Sequence, residues 1–188
     1  MIKQTAEIDQ LYGGVNTFTG IPMQQTWTAI YALNRFIQNE PDLVRIVDLG
    51  SGYGGLTLFF GMCMKNRGGK VLSMDLISPH FNPVGLVPVT FRRIDIFTPE
   101  AIALVKKFLR NGGQNLIFCD DGHKPDELNT YGKLLKPLDF IMVHDFRSEI
   151  TEKEVLTAMK KLGLEFYEYD LFSKNNTRIV SMRKGEGK

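Results

Sequence analysis

Residues 44–55 read Val44-Arg45-Ile46-Val47-Asp48-Leu49-Gly50-Ser51-Gly52-Tyr53-Gly54-Gly55, an apolar run that ends in an acid and opens into glycines. The run before Asp48 is too apolar for a half-exposed strand and is typical of a strand buried on both faces of a parallel sheet. Residues 56–64 then have the length and content of a mostly buried helix. The stretch therefore predicts a central strand, a glycine turn and a helix.

The glycine turn has the features of a cofactor site. Glycines let backbone N–H groups approach a ligand closely, and the N-terminus of the next helix adds positive partial charge. Gly50, Gly52 and Gly55 satisfy the dinucleotide pattern G-x-G-x-x-G. However, Asp48 stands two residues before Gly50, and a carboxylate is unfavourable beside a pyrophosphate. The plainer alternative is a glycine turn that holds no ligand.

The spacing Asp48-x-Gly50-x-Gly52-x-Gly54 resembles the first motif of the class I S-adenosylmethionine-dependent methyltransferases. The resemblance implies that Asp48 faces the methionine part of the cofactor. Asp75 ends the next predicted strand and is placed to reach ribose hydroxyls, which suits the adenosine of either cofactor. The cofactor-binding residues that these positions imply are Asp48, Gly50, Ser51, Gly52, Gly54, Asp75, Leu76, Asp95, Ile96 and Asp120.

Polar residues follow the fourth and fifth predicted strands. Residues 115–119 form an apolar run that ends in Asp120-Asp121-Gly122-His123, and residues 139–143 lead into His144-Asp145. In an α/β sheet the carboxyl ends of these strands lie beside the glycine turn of the first strand. We therefore expect these polar side chains to converge on the cofactor.

The converging residues suit methyl transfer to an oxygen. A hydroxyl is a poor nucleophile until a base removes its proton or a divalent cation lowers its pKa. Asp120, His144 and Asp145 are candidate metal ligands: their oxygens suit Mg²⁺, and the imidazole leaves Mn²⁺ or iron open. His123 is the candidate general base. Alternatively, these residues form only a hydrogen-bonded loop that binds no metal.

A second resemblance covers roughly residues 44–146. Asp120-x-x-His123 followed by His144-Asp145 is similar to the metal-dependent O-methyltransferases of the macrocin and mycinamicin type and to the related cephalosporin hydroxylase-like group. It implies that Asp120 and Asp145 bind Mg²⁺, that His123 is the base, and that the acceptor is a hydroxylated small molecule such as a sugar. His144 stands where those enzymes have an acid.

The order of predicted elements indicates an α/β fold. We expect a Rossmann-like three-layer sandwich whose seven-stranded sheet is mostly parallel and ends in an antiparallel hairpin formed by residues 164–170 and 177–183. Such a hairpin separates methyltransferase folds from dehydrogenase folds. A single domain is expected over residues 1–188, with a helical lid or cap over 1–40 and the core over 41–188.

Composition narrows the class of protein. The 188 residues contain 23 Lys and Arg against 21 Asp and Glu, which gives a net charge of +2. This small excess of positive charge does not indicate a protein that binds nucleic acid. The sequence has neither a signal-peptide pattern nor an apolar run long enough for a bilayer. Cys63 and Cys119 suggest no disulfide framework, so we expect a cytoplasmic protein. A homodimer packed through the N-terminal helix is considered.

The leading hypothesis is a metal-assisted O-methyltransferase that uses S-adenosylmethionine. An NAD-dependent oxidoreductase is disfavoured by Asp48 and by the C-terminal hairpin. A non-catalytic module that binds S-adenosylmethionine or a partner remains an alternative, and the convergence of acids and histidines argues against it. A nucleic-acid methyltransferase is disfavoured by the near-neutral charge and by the lack of an Asn/Asp-Pro-Pro-aromatic motif after the fourth strand.

Overall fold

The computed structural model of the chain describes residues 16–79, 84–110 and 112–186. Its strands are β1 (Asn16–Phe18), β2 (Ile21–Met23), β3 (Leu43–Leu49), β4 (Lys70–Asp75), β5 (Val89–Arg93), β6 (Gln114–Cys119), β7 (Phe140–Val143), β8 (Leu164–Phe166) and β9 (Val180–Lys184). Its helices are α1 (Trp27–Asn39), α2 (Gly55–Lys65), α3 (Pro99–Phe108), α4 (Lys124–Tyr131), α5 (Glu152–Leu162) and α6 (Tyr169–Lys174). Within these ranges, no helix is both long enough and apolar enough to span a membrane.

The main sheet has seven strands in the order β5-β4-β3-β6-β7-β9-β8. The five strands from β5 to β7 run parallel, and β9 is antiparallel to both of its neighbours. The order reverses at β3, which pairs with β4 on one side and with β6 on the other. Ligands of open α/β sheets bind at such a switch point, outside the carboxyl ends of the strands.

Helices cover both faces of this sheet. Successive residues of a strand point to opposite faces, so Val47 packs with the side chains of α3, α4 and α5, whereas Ile46 packs with those of α1, α2 and α6. The near-continuous apolar run of β3 is explained by this double burial. The predicted three-layer Rossmann-like fold with a mostly parallel seven-stranded sheet is confirmed.

The C-terminal antiparallel pair is confirmed, but the predicted connection was wrong. The strand predicted over 164–170 ends at Phe166, and helix α6 begins at Tyr169 and continues to Lys174, where the sequence predicted an extended strand end and a turn. Phe172 of α6 is fully buried, with its ring centroid 6.2 Å from that of Phe36 in α1. Tertiary packing of this side chain therefore outweighs the local alternation that indicated a strand.

The described part of the predicted lid or cap contains a strand hairpin followed by helix α1. Helix α1 begins at Trp27, because the Thr26 hydroxyl caps it and accepts a hydrogen bond from Ala29 N at 3.1 Å. However, its buried face, including Leu33 and Phe36, belongs to the core. Residues 16–23 form the β1–β2 hairpin, which the sequence did not predict. The first part of the predicted lid or cap, residues 1–15, lies outside the described residues.

The β1–β2 hairpin packs against the start of α2. A Cβ atom added at Gly55 would lie 2.5 Å from the carbonyl oxygen of Pro22, so the two backbones approach closely. The rings of Phe18 and Phe59 also meet edge to face, with centroids 5.6 Å apart. The hairpin therefore stands at the glycine turn, next to the switch point of the sheet.

Candidate cofactor and metal site

The glycine turn joins three strand ends. Gly50 N donates to the Met74 carbonyl at 2.9 Å, and Asp120 N donates to the Leu49 carbonyl at 2.9 Å. Gly50 has a φ of +90°, and a Cβ atom there would overlap the backbone of Asp120. Only glycine fits this position, because any side chain would push the ends of β3 and β6 apart.

Beneath the turn lies a buried polar cluster. Asp48 is fully buried, and its Oδ2 accepts from Thr57 Oγ1 at 2.5 Å and from Ser73 Oγ at 3.1 Å. Ser51 Oγ lies 2.5 Å from Ser73 Oγ. Burial raises the pKa of Asp48 to about 7, although the bonds from Thr57 and Ser73 oppose the rise. Asp48 thus braces the turn from below, and its contact with a cofactor stays a prediction.

Asp75 connects the end of β4 to the turn. Its Oδ2 accepts from Gly52 N at 2.9 Å, and its Oδ1 accepts from Ile77 N at 2.9 Å. Leu76, the next residue, is 56% exposed. The predicted ribose and adenosine residues Asp75 and Leu76 are therefore brought to the edge of the glycine turn.

The predicted adenine residues follow β5. Asp95 is exposed, and its Oδ1 accepts from Phe97 N at 2.8 Å. The side chain of Ile96 is fully buried in the core, which leaves only its backbone for a ligand. His123 is exposed and its ring meets that of Phe97, with centroids 6.0 Å apart. His123 and Asp95 thus both contact Phe97, so His123 lies near the predicted adenine residues.

The three predicted metal ligands come together at the ends of β6 and β7. Asp120, His144 and Asp145 each offer one ligand atom, and these atoms lie within 4.8 Å of one another. His144 Nδ1 is 3.0 Å from Asp120 Oδ1 and 3.3 Å from Asp145 Oδ2. The three side chains line a cavity of about 390 Å³ together with Gln24, Asp121, Gly122, Lys124, Glu149 and Arg178.

The protonation of this group is set by its charges. Burial lowers the pKa of His144, but the hydrogen bonds and charges of both carboxylates outweigh burial and raise it to about 9. The hydrogen bond from His144 is the main reason that the pKa of Asp145 lies below its ordinary value. An imidazolium between two carboxylates is a position where a divalent cation can replace the proton. Two oxygen ligands and one imidazole nitrogen suit Mg²⁺ or Mn²⁺.

Lys124 is a member of the site that the sequence did not reveal. Its side chain is 2% exposed, and its Nζ lies 3.3 Å from Asp120 Oδ1 and 3.4 Å from Glu149 Oε2. Burial lowers its pKa, but the carboxylates of Asp120, Glu127 and Glu149 more than offset that effect and hold it above the ordinary value. The only signal in the sequence was a lysine four residues after Asp120, at the start of a helix.

Two further residues hold the candidate ligands from distant parts of the chain. Gln25 is buried, and its Nε2 donates to Asp120 Oδ2 at 2.7 Å. Its Oε1 has no hydrogen-bond partner within the described ranges. Arg178 Nη2 lies 2.5 Å from Asp145 Oδ1. Both contacts depend on the tertiary fold, so no local motif could have indicated them.

The turn between Asp120 and α4 is fixed by Glu127. Its side chain is fully buried, and its carboxylate accepts from His123 N at 3.0 Å and from Asp121 N at 3.3 Å. Burial raises the pKa of Glu127 to about 7 and that of Asp121 to about 6. Glu127 therefore sets the direction in which the Asp120–His123 turn leaves the sheet.

A family model described as Rhamnosyl O-methyltransferase/CmcI matches residues 11–162, most of the chain. The chain belongs to this family. Membership confirms the predicted resemblance and the predicted class of enzyme, a methyltransferase that depends on S-adenosylmethionine. No curated protein sequence matches the chain.

Solved structures support the fold of this family member. The structure "CmcI-N160 apo-structure" matches with a TM-score of 0.73 and 14% identity over 92% of this chain and 77% of that one. "cmcI-D160 Mg-SAM" matches with a TM-score of 0.68 and 16% identity over 89% and 76%. The MycE methyltransferase in complex with Mg, SAH and mycinamycin VI matches with a TM-score of 0.57 and 15% identity over 86% of this chain and 50% of that one.

Most of the predicted site residues of this Rhamnosyl O-methyltransferase/CmcI family member thus lie at one edge of the sheet. The glycine turn, Asp75, Asp120, His144 and Asp145 lie around the switch point. His123 is absent from the group that lines the Asp120 cavity within the described ranges. The roles assigned to these residues from the sequence stay predictions.

Proposed function

We propose that this protein transfers the methyl group of S-adenosylmethionine to a hydroxyl of a small molecule, with Mg²⁺ or Mn²⁺ held by Asp120, His144 and Asp145. One observation carries the proposal: three ligand atoms lie within 4.8 Å of one another beside the glycine turn. The donor and the acceptor site would then adjoin, because the backbones of Gly50 and Asp120 are in contact.

The glycine turn suits the methyl donor. Gly52 is exposed at the turn, whereas Ser51 and Gly54 are buried, so the cofactor would lie on the backbone at Gly52 with Gly50, Ser51 and Gly54 holding that backbone in place. Asp75 would receive the ribose hydroxyls, and Asp95 the adenine edge. The cofactor supplies a methyl group on a positively charged sulfur. The matching structure "cmcI-D160 Mg-SAM" is named for both Mg and SAM, which supports this assignment for a member of the same family.

The metal ligands are supported by fixed neighbours. A bound divalent cation lowers the pKa of an acceptor hydroxyl and holds it in position. Gln25 and Lys124 fix the Asp120 carboxylate, and Arg178 fixes that of Asp145. Such supporting contacts orient metal ligands and typically change metal affinity by about 10- to 100-fold when they are removed.

His123 is the proposed general base. It would accept the hydroxyl proton while the new oxygen–carbon bond forms and the sulfur–carbon bond breaks. Its ring is exposed at the start of α4 and packs on Phe97, so rotation of the side chain would be required to reach an acceptor at Asp120. Catalytic hydrogen bonds are often formed only in the substrate complex.

The acceptor is proposed to be a small hydroxylated molecule of the sugar or natural-product type. The Asp120 cavity, at about 390 Å³, falls in the range of small-molecule sites. A net charge of +2 provides no extended basic surface for nucleic acid. The family description, which names a rhamnosyl O-methyltransferase, agrees with a sugar hydroxyl as the acceptor.

Calorimetric titration with S-adenosylhomocysteine and, separately, with NAD tests the donor site. We expect micromolar binding of S-adenosylhomocysteine, no binding of NAD, and heat from Mg²⁺ or Mn²⁺ added to the binary complex. Screening of hydroxylated acceptors with methyl-labelled S-adenosylmethionine then tests transfer. Binding of NAD alone would show that the glycine turn has been misread, and metal binding without any transfer would favour a non-catalytic module.

A further inference from the structure

A second cavity, of about 300 Å³, lies next to the candidate metal site. It is bordered by the loop that follows β7, by α6 and by the segment that leads into β9. Because β9 runs antiparallel to β7, its start lies at the same edge of the sheet as Asp145. Arg178 lines both cavities, so the two spaces share a wall.

The inner surface of this cavity is apolar and aromatic. Phe172 is fully buried, and Phe146 and Ile179 are 8% and 3% exposed. Tyr169 lines the same cavity and is partly buried. Aromatic side chains in such a wall pack well against a flat ring or against the apolar face of a sugar.

The outer part of the cavity carries two arginines. Arg178 uses Nη2 for both of its contacts, with Asp145 Oδ1 at 2.5 Å and with Ser148 Oγ at 2.7 Å. Arg147 lies over the Phe146 ring at 5.2 Å, and its Nη2 contacts with Glu152 and Tyr169 are long, at 3.5 Å and 3.4 Å. Both guanidinium groups therefore keep N–H donors for an anion. Guanidinium forks bind carboxylate and phosphate through two parallel hydrogen bonds.

The backbone around the cavity is held in an uncommon conformation. Asp145, Arg147 and Arg178 have φ angles of 57°, 71° and 57°. Non-glycine residues with positive φ are uncommon, and where they gather they often mark ligand sites. Of these three charged residues, Asp145 lines the Asp120 cavity, Arg147 lines the second cavity, and Arg178 lines both.

We propose that this second cavity binds the methyl acceptor, and that the acceptor is a hydroxylated ring carrying a carboxylate or a phosphate. The ring would pack on Tyr169, the partly exposed aromatic side chain of the cavity, and the anion would bind Arg147 and Arg178. This inference rests on the proposed methyltransferase function, and it names the substrate class for that site. Arg178 links the anion to Asp145 and hence to the candidate metal ligands.

Matched ligand pairs test the charge requirement. The protein is first saturated with S-adenosylhomocysteine and then titrated with protocatechuate or with its neutral amide. We expect the carboxylate to bind about tenfold more tightly than the amide, because charged hydrogen bonds are stronger than neutral ones. Competition by phenyl phosphate identifies a phosphate acceptor if it displaces protocatechuate at lower concentration than benzoate does.

Arg147→Gln tests the position of the site. This variant should lose the tenfold preference for the carboxylate, whereas Arg147→Lys should keep part of it. Arg92→Gln is the control, because it removes an equal charge from the exposed face of β5 at the far end of the sheet. Arg92→Gln should keep the tenfold preference for the carboxylate over the amide.

The outcomes separate this inference from the proposed function. Normal binding of S-adenosylhomocysteine without any preference for anionic probes overturns the inference and leaves the proposed function intact. An equal loss of preference in Arg147→Gln and Arg92→Gln also overturns it, since the effect would then be one of net charge. Failure of all variants and of the wild type to bind S-adenosylhomocysteine rejects the proposed function itself.

Discussion

The two halves of the candidate site are built on different physical principles. Around the glycine turn, Asp48, Thr57 and Ser73 form a buried cluster of hydrogen bonds of 2.5 to 3.1 Å, and no basic side chain of the described residues is bonded to it. At the ends of β6 and β7, by contrast, each carboxylate has a cation beside it: Lys124 pairs with Asp120, and Arg178 pairs with Asp145. One half is held by backbone contact and burial, and the other by charges.

The two halves should therefore respond differently to ligands and to substitutions. The glycine turn cannot adjust without moving the strand ends, so it suits a cofactor that binds in one fixed way. The charged half lines a cavity of about 390 Å³, so a metal or a substrate can reach its carboxylates without displacing the strand ends. Changes in the first half should therefore disturb binding and folding, whereas changes in the second should disturb metal binding and turnover.

The largest effect is expected at Gly50. Gly50→Ala forces a side chain into the backbone of Asp120, so we expect loss of S-adenosylhomocysteine binding by more than about 100-fold and a lower melting temperature. Calorimetry and circular dichroism measure the two effects. Gly85→Ala is the matched control, because Gly85 has a φ of +88° and no described atom within 4 Å of an added Cβ. If both variants behave alike, backbone strain explains the result and the contact with Asp120 does not.

Asp145→Asn should abolish metal binding while it spares the cofactor. Removal of a charged ligand is expected to lower Mn²⁺ affinity and turnover by about 1,000-fold or more, with S-adenosylhomocysteine affinity nearly unchanged. Calorimetry and the spin-resonance signal of free Mn²⁺ measure the binding. Asp170→Asn makes the same chemical change at an exposed ion pair with Lys174 and should have no effect. Undiminished Mn²⁺ binding in Asp145→Asn would contradict the assigned site.

His123→Ala should reduce turnover by about 100-fold, which is typical for loss of a general base, with metal and cofactor binding unchanged. Phe97→Leu provides the comparison, because it removes the ring on which His123 packs. If the two variants lose activity equally, His123 acts through packing and a different group takes the proton. Initial rates across pH distinguish the two cases, since only loss of a base removes the acidic limb of the profile.

The smallest effect concerns Asp48 and the pH dependence of stability. Its pKa is about 7 in the folded protein because of burial, above the ordinary 3.8, so the folded state retains a proton that the unfolded state releases. The contribution of Asp48 to the free energy of unfolding should therefore fall by about 2 to 3 kcal/mol between about pH 5 and about pH 8. Asp48→Asn cannot ionise, so its total decrease should be smaller than that of the wild type by this amount, while the decrease from Glu127 and Asp121 remains. Urea unfolding at both pH values measures it, and parallel curves for the two proteins would contradict the assignment.

Local patterns in the sequence were sufficient for the framework of the fold. The apolar run before Asp48, the glycines after it and the acids at the strand ends all reflect neighbours in sequence, and the seven-stranded sheet followed from them. Helix α6 was missed because its conformation depends on Phe172 packing against α1. Gln25, Lys124 and Arg178 were missed because their contacts with the carboxylates exist only in the folded chain.

The hydrogen bond from Gln25 to Asp120 joins residues 95 positions apart, and Arg178 reaches Asp145 from the segment just before the strand β9. During synthesis the hydrogen bond between Gln25 and Asp120 therefore cannot form until most of the chain has been made. Until β9 is made, β7 presents an open sheet edge, which is a template for pairing with other chains. Truncation before β9 should thus yield aggregation rather than a smaller soluble protein, because this strand covers the edge of β7 and protects the nascent chain from pairing with other chains.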